Sequence, residues 1–361
     1  MDLGLLHKTI EMSPSSRTPV AIVGARGYSG LELARLALGH SHLTLAACFG
    51  RDPGWRLSHD LIDPRAQDVP VLPMDDLRAK ASSFDTVFFA TPPEVSLEFI
   101  PQIASSTQVI DLSGAFRLGP NTDAAGTHVP AFYGLSPFSS SQALSHLKRG
   151  SVISNPGCFA TSVLMALIPL LKAGLVDSDH LVIDSKSGAS GAGRKASEPL
   201  LFTEISGDCL PYRVGRHQHL AEMIKYLKEY TEVTTDPHFV THLLPVERGI
   251  ISGIYATLTP RLASHTDNDI HAAMGQAYEQ AYGSYPLVRH GPLGVGEAQD
   301  RLLLSLKKVV GTAMTHISYT VTGKKLYVFS CIDNLLKGAA SQAIENWNRS
   351  HELPVTTGLI S

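Results

Sequence analysis

The chain changes its hydrophobic rhythm twice. Thr18–Val23 (TPVAIV) is apolar without alternation, a glycine-rich turn follows, and LELARLAL then carries apolar residues at helical spacing. LTLAACFG, DTVFFATP and QVIDLSG repeat the strand-like texture downstream. Strands alternating with helical segments predict a parallel sheet, so residues 18–156 read as one doubly wound, Rossmann-type α/β domain. FATSVLMALIPLLKAGL is largely apolar and predicts a buried helix. Beyond it come HLVIDSKSG, HFVTHLLPV, GIISGIYATLTP, AMTHISYTVTG and KLYVFSCID, strand-like runs broken by turns, with NDIHAAMGQAYEQAYG as a helix among them. Residues 157–334 therefore read as an α+β domain with a mainly antiparallel sheet. NLLKGAASQAIENWNRS, which begins at Asn334 and leads into the last segment (335–361), is amphipathic and can pack back on the first domain. Residues 1–17 read as a loose or partly helical extension, and SPFSSSQALS as a loop.

Composition narrows the class. The 361 residues are 43% hydrophobic and 17% charged, enough apolar material for two buried cores and too little charge for global disorder. A net charge of −3 lacks the basic footprint of a nucleic-acid binder, while small anionic substrates remain open. No run approaches the length of a membrane span, and the N-terminus has no signal-peptide core. The four cysteines (Cys48, Cys158, Cys209, Cys331) are widely spaced and never form C-x-x-C, which fits a reducing cytoplasm.

The first turn, VGARGYSG, sets Gly24, Gly27 and Gly30 three apart. Glycines there allow a tight turn and close backbone approach to a pyrophosphate seated on a helix N-terminus. Arg26, Tyr28 and Ser29 share the turn and join the glycines as candidate cofactor contacts. At the end of the second strand, CFGRD offers Arg51, suited to the 2′-phosphate of NADP; the adjacent Asp52 would suit the ribose hydroxyl of NAD. NADP is the favoured reading.

SNPGCFAT puts Cys158 between a turn and the buried helix. A helix N-terminus favours an anion, so a thiol there is expected to have a lowered pKa and to serve as a nucleophile; a small buried core residue is the plain alternative. GRHQHLAEM places His217 and His219 two apart, with Glu222 one helical turn beyond His219 to orient an imidazole. The pair reads as a general acid/base, with zinc, using Cys209, as a lesser alternative and no metal expected. SKSGASGAGRKAS, with Ser187, Gly188, Arg194 and Lys195, is a loop able to cradle phosphate or carboxylate. Arg117 and Arg248 are flanked by apolar residues, and a partly buried arginine needs an anion, either an internal carboxylate or a substrate.

VGARGYSGLEL, DLSGAFRL, SNPGCFAT, SKSGASGAGRK, H-x-H with Glu222, HLLPVERGI and DNLLKGAA occur in one order over residues 20–348. This set resembles the N-acetyl-γ-glutamyl-phosphate reductase family of the semialdehyde dehydrogenases, which includes aspartate-β-semialdehyde dehydrogenase and, more distantly, glyceraldehyde-3-phosphate dehydrogenase. The chain departs from the family pattern at ATPPEVS, YGLSP and HLAEM. The resemblance implies Cys158 as nucleophile, His217 or His219 as acid/base, and Asn334 near the nicotinamide; the spacing of Glu222 leans the acid/base role slightly to His219. It also implies a C-terminal helix returning to the first domain and a homo-oligomer, dimer or tetramer. The implied reaction is reduction of an acyl phosphate by NADPH through a cysteine thioester, in arginine biosynthesis, with Arg117 or Arg248 holding phosphate or carboxylate. The aminoadipate lysine branch, an aspartate-semialdehyde type and a non-catalytic dinucleotide-binding regulator stand as alternatives.

Overall fold

The structure is a computed structural model that describes residues 17–360 except 53, 120, 123–127 and 294–303. The expected N-terminal extension, Arg17 apart, lies outside the described residues.

Two seven-stranded sheets carry the fold. The first runs in the order Val71–Pro73, Leu43–Gly50, Thr18–Val23, Thr86–Phe89, Gln108–Asp111, Val152–Ser154, Ala131–Tyr133, and every neighbouring pair is parallel. Its central strands are buried on both faces, which is why Val20–Val23 and Val87–Phe89 are apolar without alternation. The three-residue strands Val71–Pro73, Val152–Ser154 and Ala131–Tyr133 were not expected, because runs this short carry no readable period.

The second sheet runs Leu210–Tyr212, His238–Leu244, Val182–Gly188, Ile250–Thr257, Lys325–Ile332, Thr315–Thr322, Val288–Pro292. Four of its pairings are antiparallel and two parallel. Helices Cys158–Lys172 and Asp267–Tyr282 cover one face; Phe159–Leu171 are all buried there. The Cys158 helix is thus anchored by its whole length, with only its first turn left for chemistry.

The C-terminal segment crosses back. Leu336, Ala340, Ala343, Ile344 and Trp347 join the core of the first sheet, and helix Ser341–Ser350 packs on helix Tyr28–Gly39. Within SPFSSSQALS, Ser140 accepts from the amide of Ala143 and caps a short helix, Ser141–Ser145, where a loop was expected. No helix among the described residues is long and apolar enough to cross a membrane.

Candidate active site

The glycine turn has the geometry its spacing predicts. Gly24 has φ +83°, and a Cβ there would stand 2.5 Å from the carbonyl oxygen of Ala90. A Cβ on Gly30 would run into the Gly24 carbonyl, so strand and helix touch backbone to backbone. Gly27 caps helix Tyr28–Gly39 without a side-chain acceptor, leaving the amides of Tyr28, Ser29 and Gly30 without helical partners. The turn opens on a cleft of about 320 Å³ whose wall includes Phe49, Gly50, Arg51, Asp52 and Thr91. Asp52 pairs with Arg26 at 2.7 Å, and Arg51 is exposed on the same wall. Arg194, from the glycine/serine loop of the second sheet, donates to the Arg26 carbonyl at 3.0 Å and pairs with Asp60 at 2.8 Å. An internal carboxylate has taken this cation.

Cys158 is the first residue of its helix, capped by Gly157. The expected lowering of its pKa does not occur: burial pushes the thiol up to about 11, against Arg117 and the Phe159 amide, which favour the thiolate. Magnitudes explain the outcome. A helix terminus contributes about 0.3–1 kcal/mol, under one pKa unit, whereas burial moves a charge by as much as 3–5 units.

Both histidines sit beside this turn. A Cβ on Gly157 would collide with the His219 imidazole, so the ring lies directly over the residue before the cysteine. His219 Nε2 is 3.3 Å from Arg117 Nη1, and its Nδ1 is a buried atom with no hydrogen-bond partner among the described residues. His217 Nδ1 accepts the His219 amide at 3.1 Å, and the two rings are 4.8 Å apart. Phe159 packs edge-on against both. Burial, then the charge of Arg213, pulls His217 down to about 4; burial, Arg117 and His217 hold His219 further below the usual range. Both rings are neutral at pH 7.

Glu222 does not orient His219, as its spacing suggested. Its Oε1 accepts from the Gly157 amide at 2.9 Å and the Tyr133 hydroxyl at 2.8 Å, and its Oε2 lies 3.6 Å from Arg117 Nη1. Three residues along a helix set Cα positions but not side-chain aim, and the donors that Glu222 meets are the Gly157 amide, the Tyr133 hydroxyl and Arg117. Arg117 also donates to the carbonyls of Asn155 (2.9 Å) and Leu112 (2.7 Å). It therefore has an internal carboxylate and is tied to the loop before Cys158. Arg248 is likewise engaged, with Glu32 at 2.7 Å and Asp333 at 3.0 Å. In both cases a guanidinium at least partly buried is met by carboxylates the fold itself brings up.

Asn334 accepts the Gly249 amide at 2.7 Å and donates to Ser190 Oγ at 3.1 Å. A Cβ on Gly191 would stand 3.2 Å from Ser187 Oγ and 3.6 Å from Asn334 Nδ2, so these side chains converge on the turn Ala189–Ala192. Gly188 is packed against backbone: a Cβ there would stand 2.7 Å from Glu247 and Arg248 main-chain atoms.

Residues 19–146 match the model for the semialdehyde dehydrogenase NAD binding domain, and residues 158–334 that for the semialdehyde dehydrogenase dimerisation domain. A Geobacillus stearothermophilus N-acetyl-γ-glutamyl-phosphate reductase is 38% identical over 342 residues, covering 91% of this chain and 94% of that protein. The chain belongs to the N-acetyl-γ-glutamyl-phosphate reductase family of semialdehyde dehydrogenases. The reductase of Brevibacillus brevis is 35% identical, covering 94% of this chain and 97% of that one. Among solved structures, an aspartate semialdehyde dehydrogenase from Vibrio cholerae superposes with a TM-score of 0.69 at 16% identity, covering 93% and 98% of the two chains. One from Candida albicans, solved with NADP, gives 0.66 at 14%, covering 92% and 98%. These two likenesses speak to fold.

In this semialdehyde dehydrogenase the glycine turn and its cleft lie within the matched NAD binding domain, which makes a nicotinamide dinucleotide its cofactor. Three residues escaped the sequence reading. Asp333, wholly buried, accepts from Leu335, Leu336, Gly311 and Arg248. Tyr133 secures Glu222. Arg213, exposed and held at φ +47°, puts its charge near both imidazoles; its position two residues after Pro211, four before His217, was the available signal. Among the described residues no three His, Cys, Asp or Glu side chains group to hold a metal ion.

Proposed function

We propose that this chain reduces N-acetyl-γ-glutamyl phosphate to N-acetylglutamate semialdehyde and phosphate, in arginine biosynthesis, with Cys158 as the nucleophile. The observation that carries the reading is Cys158 at the mouth of a buried helix, with two neutral imidazoles at that turn and its preceding amide held by Glu222.

Cys158 attacks the acyl carbon; the C–O bond to phosphate breaks, phosphate leaves carrying the thiol proton, and a thioester to Sγ remains. Amides at the start of the helix are placed to hold the oxyanion. The glycine turn would hold a nicotinamide dinucleotide, which would supply hydride chemistry to reduce the thioester. The resulting oxyanion accepts a hydrogen bond from His217 Nε2–H, whose Nδ1 is filled by the His219 amide; the C–S bond then breaks, the aldehyde leaves, and Sγ takes up a proton from water. This moves the lean from His219, whose Nε2 faces Arg117 and whose expected partner Glu222 is engaged elsewhere. With Arg117 and Arg248 committed to carboxylates, Arg213 is the arginine we assign to the substrate carboxylate.

NADP is the form of cofactor we propose, because Asp52 is drawn to Arg26 while Arg51 stands exposed on the cleft wall. We divide the chain into a dinucleotide-binding part, 18–156 with 335–361, and a catalytic part, 157–334. The match to a dimerisation domain supports a homodimer or tetramer, and the cysteine spacing supports a cytoplasmic enzyme. The test is the reverse reaction, followed as NADPH absorbance with phosphate present. Turnover with N-acetylglutamate semialdehyde and not aspartate semialdehyde is expected; the opposite preference overturns the assignment.

A further inference from the structure

Residues 333–340 carry the chain from the second sheet into the first core, and this passage abuts the nucleophile. Leu336–Ala340 is a π-helical turn, a rare form found mostly at functional sites. A Cβ on Gly338 would stand 2.7 Å from Cys158 Cβ and 3.1 Å from its Cα. The Ala339 carbonyl accepts from Asn155 Nδ2 at 3.1 Å, so the same turn also grips the loop that leads into Cys158.

Lys337, in the middle of this turn, is fully buried. Its Nζ donates to both Glu345 oxygens, at 3.0 and 2.7 Å, and to the Ser136 carbonyl at 3.3 Å. Glu345, on helix Ser341–Ser350, is equally buried and accepts from the Tyr285 hydroxyl. Tyr285 and Arg349 in turn both reach Ser136 Oγ, at 2.7 and 3.0 Å. Burying an ion pair is expensive, and well-packed apolar residues of the same volume are often as stable. What an apolar pair cannot do is fix direction: each charge here accepts only partners at set angles, from three separate segments.

We propose that the buried Lys337–Glu345 pair is a positioning device for Cys158, locking the π-helical turn whose Gly338 forms the wall behind the nucleophile. The proposal rests on the reading of Cys158 as nucleophile. Neither charged residue touches the reacting atoms. Their action passes through Gly338: a locked wall holds Sγ at one place through attack, thioester and release, where small misplacements are costly. A loosened wall admits water, which stabilises the thiolate and speeds alkylation while slowing acyl transfer. The two rates should therefore move in opposite directions.

The experiment compares wild type with the double variant Lys337→Met, Glu345→Met, which removes both charges and keeps volume. The readouts are reverse-reaction kinetics and peptide-mapped iodoacetamide labelling of Cys158 at pH 7.5. We expect kcat to fall about tenfold or more, KM for the semialdehyde to stay within about threefold, and Cys158 labelling to quicken about fivefold. A kcat within twofold of wild type overturns the proposal, as does a kcat loss without faster labelling. Should the double variant not fold, Glu345→Gln decides by the same two readouts, with at least about a threefold kcat loss expected. Absent wild-type turnover would strike the proposed substrate, while the labelling arm still reads the wall.

Discussion

Glu222 accepts the backbone amide of Gly157 at 2.9 Å, so the helix that opens at His219 holds the residue preceding Cys158, the proposed nucleophile. The same carboxylate lies 3.6 Å from the buried Arg117 guanidinium. Glu222→Ala leaves that cation without its carboxylate and the amide without its acceptor. Losing one partner of a buried pair costs about 3–5 kcal/mol, so urea unfolding should show a loss of that order. Glu222→Gln keeps an acceptor oxygen; it should unfold nearer wild type and lose activity mainly in kcat. Equal stability for the two variants would mean that Glu222 does not hold this turn.

The thiol of Cys158 should titrate late. Because burial raises its pKa to about 11, the iodoacetamide rate of the unliganded enzyme should keep rising through pH 9. A plateau reached by pH 7 would show a thiolate already formed and contradict the burial argument. Cys158→Ser should cost about 10³-fold or more in kcat with dinucleotide binding kept, measured by NADPH fluorescence.

Singly replaced by Asn, the histidines should differ. His217→Asn removes the proposed donor and should lower kcat about 100-fold with KM little changed. His219→Asn should act less, about tenfold, through the packing of Gly157 and Arg117. Steady-state kinetics of both variants decide, and the reverse order would return the role to His219.

Cofactor choice should follow Arg51. Arg51→Glu should raise KM for NADPH about tenfold or more while shifting KM for NADH less than about threefold. Parallel changes for the two dinucleotides would place Arg51 outside the 2′-phosphate site.

Acid stability should carry the mark of buried histidines. His40 and His217 both have folded pKa values near 4, below the unfolded value near 6.5. Their contribution is full above about pH 6.5 and is lost as pH falls toward 4, because the unfolded chain takes up protons first. His40 Nε2 donates to Asn348 Oδ1 (3.0 Å) and the ring is packed by Gly358, so His40→Asn should flatten the pH dependence of the urea midpoint between pH 6.5 and 4.5. An unchanged slope would assign that dependence to the carboxylates.

Much of this was readable along the chain, because it depends on local pattern. Strand texture, the three glycines of VGARGYSG, and a cysteine between Asn-Pro-Gly and an apolar helix are properties of neighbours in sequence. So was the order of motifs that marked the family. The three-residue strands Val152–Ser154 and Ala131–Tyr133 were not, since each is defined by its sheet partner and too short to show a period.

The chemistry of side chains was another matter. That Arg117, Arg194 and Arg248 would be met by Glu222, Asp60 and Glu32 with Asp333 depends on carboxylates 105, 134 and as many as 216 residues away along the chain. The thiol's upward shift is likewise a long-range effect: it comes from what is packed around Cys158, and Gly338 stands 180 positions from it. A residue type and its neighbours establish which chemistry is possible at a position. Distance and solvent access set charge, aim and pKa, and both arise only when distant segments are folded together.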